Sequence, residues 1–225
     1  MTLGVCLSVW TPAFGAAPQS FEQCLDKAFR TSADHQYDQT IDWAGKAISF
    51  KPADSQAYLL RAWALHQKQH PVEALKDYES FLRLGGKMNP AYWQDMAVCC
   101  AETEQWQRGL KVLDQAIALE PAAYSYRLKG QIYRQLNDDR SAVEVLKKAV
   151  ALAPNDYWGL RELASCYTSL HKYSEALNLS NRLIKLRPQE PDGYALRAKI
   201  YEKLGQPVLA KKDLERVNQK ADFPF

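Results

Sequence analysis

The sequence predicts an all-helical chain assembled from repeats, and two observations carry that prediction. Alanine and leucine are abundant while valine, isoleucine and threonine are sparse, and the long stretches between proline and glycine suit helices better than strands. Breakers then recur at Pro52, Gly86, Pro121, Pro154 and Pro188, spaced 34, 35, 33 and 34 residues apart, and a fixed period in that range marks a repeat array. A chain of 225 residues that is 47% apolar and 24% charged has the composition of an ordered, water-soluble protein.

The opening, "MTLGVCLSVWTPAFGAAPQS", comes first in chain order. It has an apolar run from Leu3 to Trp10, a breaker at Pro12 and small residues at Gly15, Ala16 and Ala17, with no basic residue before the run. Apart from that missing charge it resembles a secretory signal peptide, so residues 1–20 are expected to be a leader and the chain periplasmic or exported. The run is too short to span a bilayer. A cytoplasmic location is the alternative, and the cysteines favour it. Cys6, Cys24, Cys99, Cys100 and Cys166 form an odd set without C-x-x-C spacing, which argues against a disulfide framework.

Six repeats follow, at 21–54, 55–89, 90–122, 123–156, 157–190 and 191–222, leaving a short tail at 223–225. Aligned on the breakers, one column of small residues reads Ala28, Ala62, Ala97, Gly130, Ala164, Ala198, and a second reads Thr40, Ala74, Gly109, Ala142, Ala176, Ala210. Each marks a contact where only a small side chain fits. A third column, Cys24, Tyr58, Trp93, Tyr126, Leu160, Tyr194, is large or apolar, and a fourth, Tyr37, Pro71, Trp106, Asp139, Tyr173, Pro207, falls at the turn inside each repeat. Tyr126 and Tyr133 read as core positions.

This pattern resembles the tetratricopeptide repeat, with its large residue, small residue, turn aromatic, second small residue and closing proline. The resemblance implies a right-handed superhelical solenoid of six helix-turn-helix repeats, stacked so that neighbours share one core. In the first five repeats the second helix carries Ile41, Leu75, Leu110, Val143, Leu177 and, seven residues on, Ile48, Leu82, Ile117, Val150, Ile184. The sixth has Lys211 and Asn218 there, and Lys220 replaces the run Phe50, Leu84, Leu119, Leu152, Leu186. A polar outer face suits a terminal repeat, so the array is expected to end at the sixth, with Phe223 and Phe225 folding back or meeting a partner.

The family generally binds extended peptides of other proteins on the concave face lined by first helices. That implies a non-enzymatic scaffold with a peptide-binding groove. Its candidate residues are Leu25, Phe29, Gln56, Leu59, Trp63 and Gln67, then Gln94, Val98 and Glu102, then Tyr124, Arg127, Gln131 and Arg134. The later repeats add Trp158, Arg161, Ser165, Thr168, Lys199, Glu202 and Lys203. Residues 1–122 carry net charge −3 and residues 123–225 net +6, so the second half is expected to capture acidic or C-terminal segments through Arg127, Arg134, Arg161, Lys199 and Lys203. Some members clamp a terminal carboxylate with lysine, arginine and asparagine; this chain has Gln131 and Ser165 in place of asparagine. Arg127, Gln131 and Arg134 share one helical face as a polar surplus beyond packing needs. Lys129, in a slot also held by Lys27, Arg61 and Arg197, is generic.

Catalysis is not expected. There is no phosphate-binding glycine loop, G-x-S-x-G elbow or paired-carboxylate motif, and His66 and His70, though spaced H-x-x-x-H, read as solvent-exposed. No cofactor, metal or small-molecule substrate is anticipated. Nucleic-acid binding along the basic half, or service as a regulatory subunit of an enzyme, is the alternative. Self-association through first-repeat aromatics is a further expectation.

Overall fold

In the computed structural model, which describes residues 20–221, every regular element is a helix. The helices are α1 (Phe21–Ala33), α2 (Tyr37–Phe50), α3 (Ser55–Gln67), α4 (Pro71–Arg83), α5 (Pro90–Glu102) and α6 (Trp106–Leu119). They continue as α7 (Ala123–Gln135), α8 (Asp139–Leu152), α9 (Tyr157–Ser169), α10 (Tyr173–Leu186), α11 (Pro191–Lys203) and α12 (Pro207–Ala221). Consecutive helices pair as antiparallel hairpins. The chain divides after Gly86 into two compact units, the first holding α1–α4 and the second α5–α12. The leader expected at 1–20 and the tail phenylalanines lie outside the described residues, Ser20 excepted.

Local chemistry explains where each helix starts. Asp54, Asn89, Asp138 and Asp156 accept hydrogen bonds from backbone amides of α3, α5, α8 and α9, and proline opens α4, α5, α11 and α12, where its missing N–H costs nothing. All six residues of the turn column are the first residue of a second helix. Two positions before each, the chain adopts a left-handed conformation: φ lies between 56° and 61° at His35, Gln69, Glu104, Asn137 and His171, and is 68° at Gly205. Two of the four histidines are thus turn residues, and His171 Nδ1 lies 2.7 Å from the Tyr173 hydroxyl. His66 is half-buried in α3, not solvent-exposed as expected, whereas His70 is exposed just before α4.

Both small-residue columns are buried throughout. A Cβ on Gly130 would lie 2.6 Å from Leu146 Cγ, and one on Gly109 2.8 Å from Ile132 Cδ1, so α7 touches α8 and α6 through these glycines. In the second unit a core runs through Val143, Leu146, Tyr157, Leu160, Leu163, Cys166, Leu179 and Leu183, flanked by Tyr133, Tyr167 and Leu196. The column Ile117, Val150, Ile184 faces forward: a Cβ on Gly193 of α11 would meet Ile184 Cγ1 at 2.9 Å. In the first unit, Cys24, Ala28, Ala44, Ala47, Ala57 and Leu60 pack with Leu25 and Trp43.

Two packing expectations need correction. Tyr126 and Tyr133 are only partly buried. The run Phe50, Leu84, Leu119, Leu152, Leu186 is exposed at 54, 38, 59, 52 and 38%, because it ends each second helix beyond the reach of the next hairpin. On α12, Lys211 and Asn218 are exposed as a polar outer face requires, yet Leu214 is 39% exposed in a slot where α4, α6 and α8 bury Tyr78, Leu113 and Leu146.

The slot shared by Lys27, Arg61, Lys129 and Arg197 joins neighbouring helices: three of the four close their own hairpin, whereas Lys129 of α7 bonds Asp114 of α6 in the preceding one. Arg61 Nε and Nη2 donate to Asp77 at 2.6 and 2.8 Å, and Arg197 makes the same fork to Asp213 at 2.7 Å for both bonds. Each aspartate holds its guanidinium's pKa above the ordinary value by hydrogen bonding. Lys27 sits 4.2 Å from the Trp43 ring centroid, and in the third and fifth hairpins the same two slots hold buried Met96 with Val112 and Leu163 with Leu179.

Candidate functional site

The residues proposed for ligand contact separate by compact unit. In the first, Leu59 is only 8% exposed and belongs to the core, and Trp63 packs edge-on to Tyr37 at 5.5 Å and against His35 at 6.3 Å. Both side chains are committed inside their own unit, and the groove expected there loses its anchors.

In the second unit the first helices α5, α7, α9 and α11 carry two adjoining cavities. One, of about 470 Å³, has an apolar floor of Ala97, Ala101, Trp106, Leu128 and Ile132, with Glu102, Gln131, Arg134, Gln135 and Glu162 around it. The other, of about 280 Å³, is polar: Arg134, Arg161, Glu162, Ser165, Asp192 and Lys199 line it with Ala195 and Leu196. Arg134 and Glu162 line both, so this pair is the wall between them. Tyr124 and Trp158 stand nearby, 42 and 46% exposed, each under a guanidinium: Arg127 lies 5.0 Å from the Tyr124 centroid and Arg161 5.7 Å from that of Trp158.

The arginines are not surplus. Arg134 bonds Glu162 through Nη1 and donates to Ser165 Oγ at 3.1 Å through Nη2, while its Nε lies 3.9 Å from Asp139. Arg161 reaches Asp192 at 3.1 Å and Glu162 at 3.6 Å, and Arg127 lies 3.5 Å from Asp156, the residue that caps α9. Every arginine expected to be open to an acidic ligand already faces a carboxylate. Lys199 and Lys203, exposed on α11, make no ion pair among the described residues. Thr168 is buried and donates to the Ala164 carbonyl at 2.8 Å, so it leaves the set of ligand contacts.

The structure therefore joins Gln131, Arg134, Arg161 and Lys199 across the two cavities and leaves Tyr124, Arg127, Trp158 and Lys203 outside both linings. Sequence reasoning missed Glu162, which is 7% exposed, and Trp106, which it placed only at a turn. The slot of Glu162 itself gave little signal, because the other repeats place Asp26 and Asp95 there as well as Leu60, Leu128 and Leu196. Burial pushes the thiols of Cys99 and Cys166 up to about 12, leaving them protonated and unreactive.

Two family models, both described as tetratricopeptide repeat, match residues 101–157 and 135–200. A curated pentatricopeptide repeat-containing protein of Arabidopsis thaliana is 26% identical over 159 residues, 69% of this chain and 29% of that protein, so the chain spans under a third of that relative. Among solved structures, a tetratricopeptide repeat protein from Parabacteroides merdae aligns with TM-score 0.74 at 21% identity, covering 90% of this chain and 80% of that one. MamA of Desulfovibrio magneticus aligns with TM-score 0.68 at 20% identity over 73 and 93% of the two chains. YrrB, described as having an unusual peptide-binding site, aligns with TM-score 0.68 at 16% identity over 79 and 97%. At these identities the likeness is one of fold.

Proposed function

We propose that this chain, a tetratricopeptide repeat protein, is a non-enzymatic interaction scaffold that seats a peptide segment of a partner protein on the first helices of its second unit. One observation carries the reading: two cavities of different character adjoin on that face, one floored by apolar side chains and one lined by polar ones. A cavity of about 470 Å³ accepts one large side chain, whose burial is worth roughly 1.5–3 kcal/mol, and the exposed Tyr124 and Trp158 add flat surface for the segment beside it. The pairing of the arginines moves acidic capture to Lys199 and Lys203, so the acidic or C-terminal residue of the segment lies toward α11. The same pairing weighs against nucleic acid, which needs cations unpaired at the surface. YrrB, with its peptide-binding site, offers a precedent within the fold.

The test is selection of octapeptides from a random displayed library on the purified chain, followed by fluorescence anisotropy. Ala101→Trp, which fills the apolar cavity, is expected to weaken the selected peptides at least about tenfold, and Leu59→Ala to leave binding at the second unit unchanged. Equal affinity for wild type and Ala101→Trp sinks the reading. Loss of phosphate-backbone binding by the same variant in a salt-dependent DNA assay would favour the nucleic-acid alternative instead.

A further inference from the structure

The wall between the two cavities has a property that the peptide-binding reading does not require. Glu162 is a nearly buried carboxylate contacted by two guanidiniums, Arg134 from α7 and Arg161 on its own helix. Asp139 of α8 and Asp192 of α11 face the outer sides of the same two arginines, and Lys199 lines the polar cavity. Around the wall, three cations (Arg134, Arg161, Lys199) therefore face four carboxylates (Glu102, Asp139, Glu162, Asp192), and no cationic surplus remains. A ligand carboxylate arriving here would meet Glu162 already in the position it needs, held by charge-assisted bonds and largely shielded from water.

We propose that Glu162 is a built-in stand-in for a ligand carboxylate, and that it makes the groove accept uncharged residues and reject acidic ones at the position that crosses the wall. Resting on the peptide-binding reading, this specifies the segment: an apolar side chain in the larger cavity, an uncharged residue over Arg134–Glu162, and an acidic residue only beyond it, toward Lys199. Selectivity then comes from repulsion at one position as much as from attraction at the others. Removing the Glu162 charge leaves Arg134 and Arg161 short of one negative partner, and a ligand carboxylate becomes the group that completes the set.

Octapeptides selected on the wild-type chain serve as fluorescein-labelled probes, each resynthesised with glutamate and with glutamine at every position in turn. On wild type, one position is expected to disfavour glutamate relative to glutamine. In Glu162→Gln the glutamate-to-glutamine affinity ratio at that position should rise about 5–10-fold, the scale of one partly screened charge at contact distance. Glu162→Asp keeps the charge while drawing it back from Arg134; it should give a smaller rise and serves if Glu162→Gln does not fold, as circular dichroism will report. An unchanged ratio in a folded variant, with the parent octapeptide still bound, overturns the role of Glu162 and leaves the peptide-binding reading standing. Selection of no octapeptide by wild type overturns both.

Discussion

Gly130→Ala separates a packing contact from ordinary helix propensity. Gly130 lies inside α7, where replacing glycine by alanine usually stabilises by about 0.5–1 kcal/mol, because the unfolded chain loses freedom and the helix gains a methyl group. Here the new Cβ would sit 2.6 Å from Cγ, 2.7 Å from Cδ2 and 3.2 Å from Cδ1 of Leu146. The crowded atom is the branch point of the side chain, so no simple rotation relieves it, and Leu146 is fully buried. Forcing a methyl group into such a core costs about 1–3 kcal/mol, which cancels or exceeds the propensity gain and leaves a net loss of about 0–2.5 kcal/mol. Gly45, in α2, is the control: the nearest atom to its added Cβ is Arg61 Nη1 at 3.8 Å, an ordinary contact, so Gly45→Ala should stabilise by about 0.5–1 kcal/mol.

Thermal and guanidinium unfolding compare the variants, and amide hydrogen exchange localises each effect, since Gly45 and Gly130 lie in different compact units and one melting temperature need not describe both. On a chain of this size 1 kcal/mol moves the transition by about 2–4 °C. Leu146→Ala alone should cost about 2–5 kcal/mol, and adding Gly130→Ala to it should cost nothing further, because the methyl group then enters the space the leucine vacated. If Gly130→Ala raises stability as much as Gly45→Ala, the small-residue columns are not packing-limited, and the account of how α7 meets α8 is wrong.

Asp213→Asn should cost about 1.5–3 kcal/mol by stranding Arg197, whereas the double change Arg197→Leu with Asp213→Leu, copying Leu163 and Leu179 of the preceding repeat, should be neutral or stabilising; denaturant titration decides. Cys99 and Cys166 should resist iodoacetamide at pH 8 in the folded chain and react fully in guanidinium; native-state labelling at the unfolded rate would contradict their burial. Between pH 9.0 and about 12 only the unfolded chain releases these protons, so each thiol should lower stability by about 1.4 kcal/mol per pH unit, a slope that Cys166→Ala should reduce. Glu104→Gly should stabilise by about 0.5–1 kcal/mol in thermal melts, since φ of 57° strains glutamate but not glycine; destabilisation there would refute the turn geometry.

The helices were legible because size is constrained at columns that recur with the repeat. Residues 28, 62, 97, 130, 164 and 198 must be small whatever surrounds them, and six in-phase copies expose a constraint that one copy would hide. The left-handed turn residues escaped for the opposite reason. Histidine, glutamine, glutamate and asparagine share no chemistry that one sequence could flag, and the hairpin imposes their φ on whatever residue stands there. Leu59 was misplaced because helical spacing fixes direction around α3 but not how deeply neighbours cover it.

The polar half of the site was misread through a missing rule of distance, and the structure supplies that rule. Arg134 meets Glu162 28 residues on and Ser165 31 on, Arg127 meets Asp156 29 on, Arg161 meets Asp192 31 on, and Gln94 donates to Ser125 31 on. One repeat forward is about 34 residues, so a partner 28–31 ahead sits on the next first helix or at its start, one turn back toward its N-terminus. Across neighbouring repeats this spacing plays the part that i, i+4 plays within one helix. Applied to the sequence, it pairs each arginine of the α7 and α9 face with a carboxylate before any surplus is counted. Lys199 and Lys203, by contrast, make no ion pair among the described residues. The net charge of +6 in residues 123–225 is therefore a poor guide to the ligand, because the charges nearest the cavities cancel locally and those that remain lie toward α11.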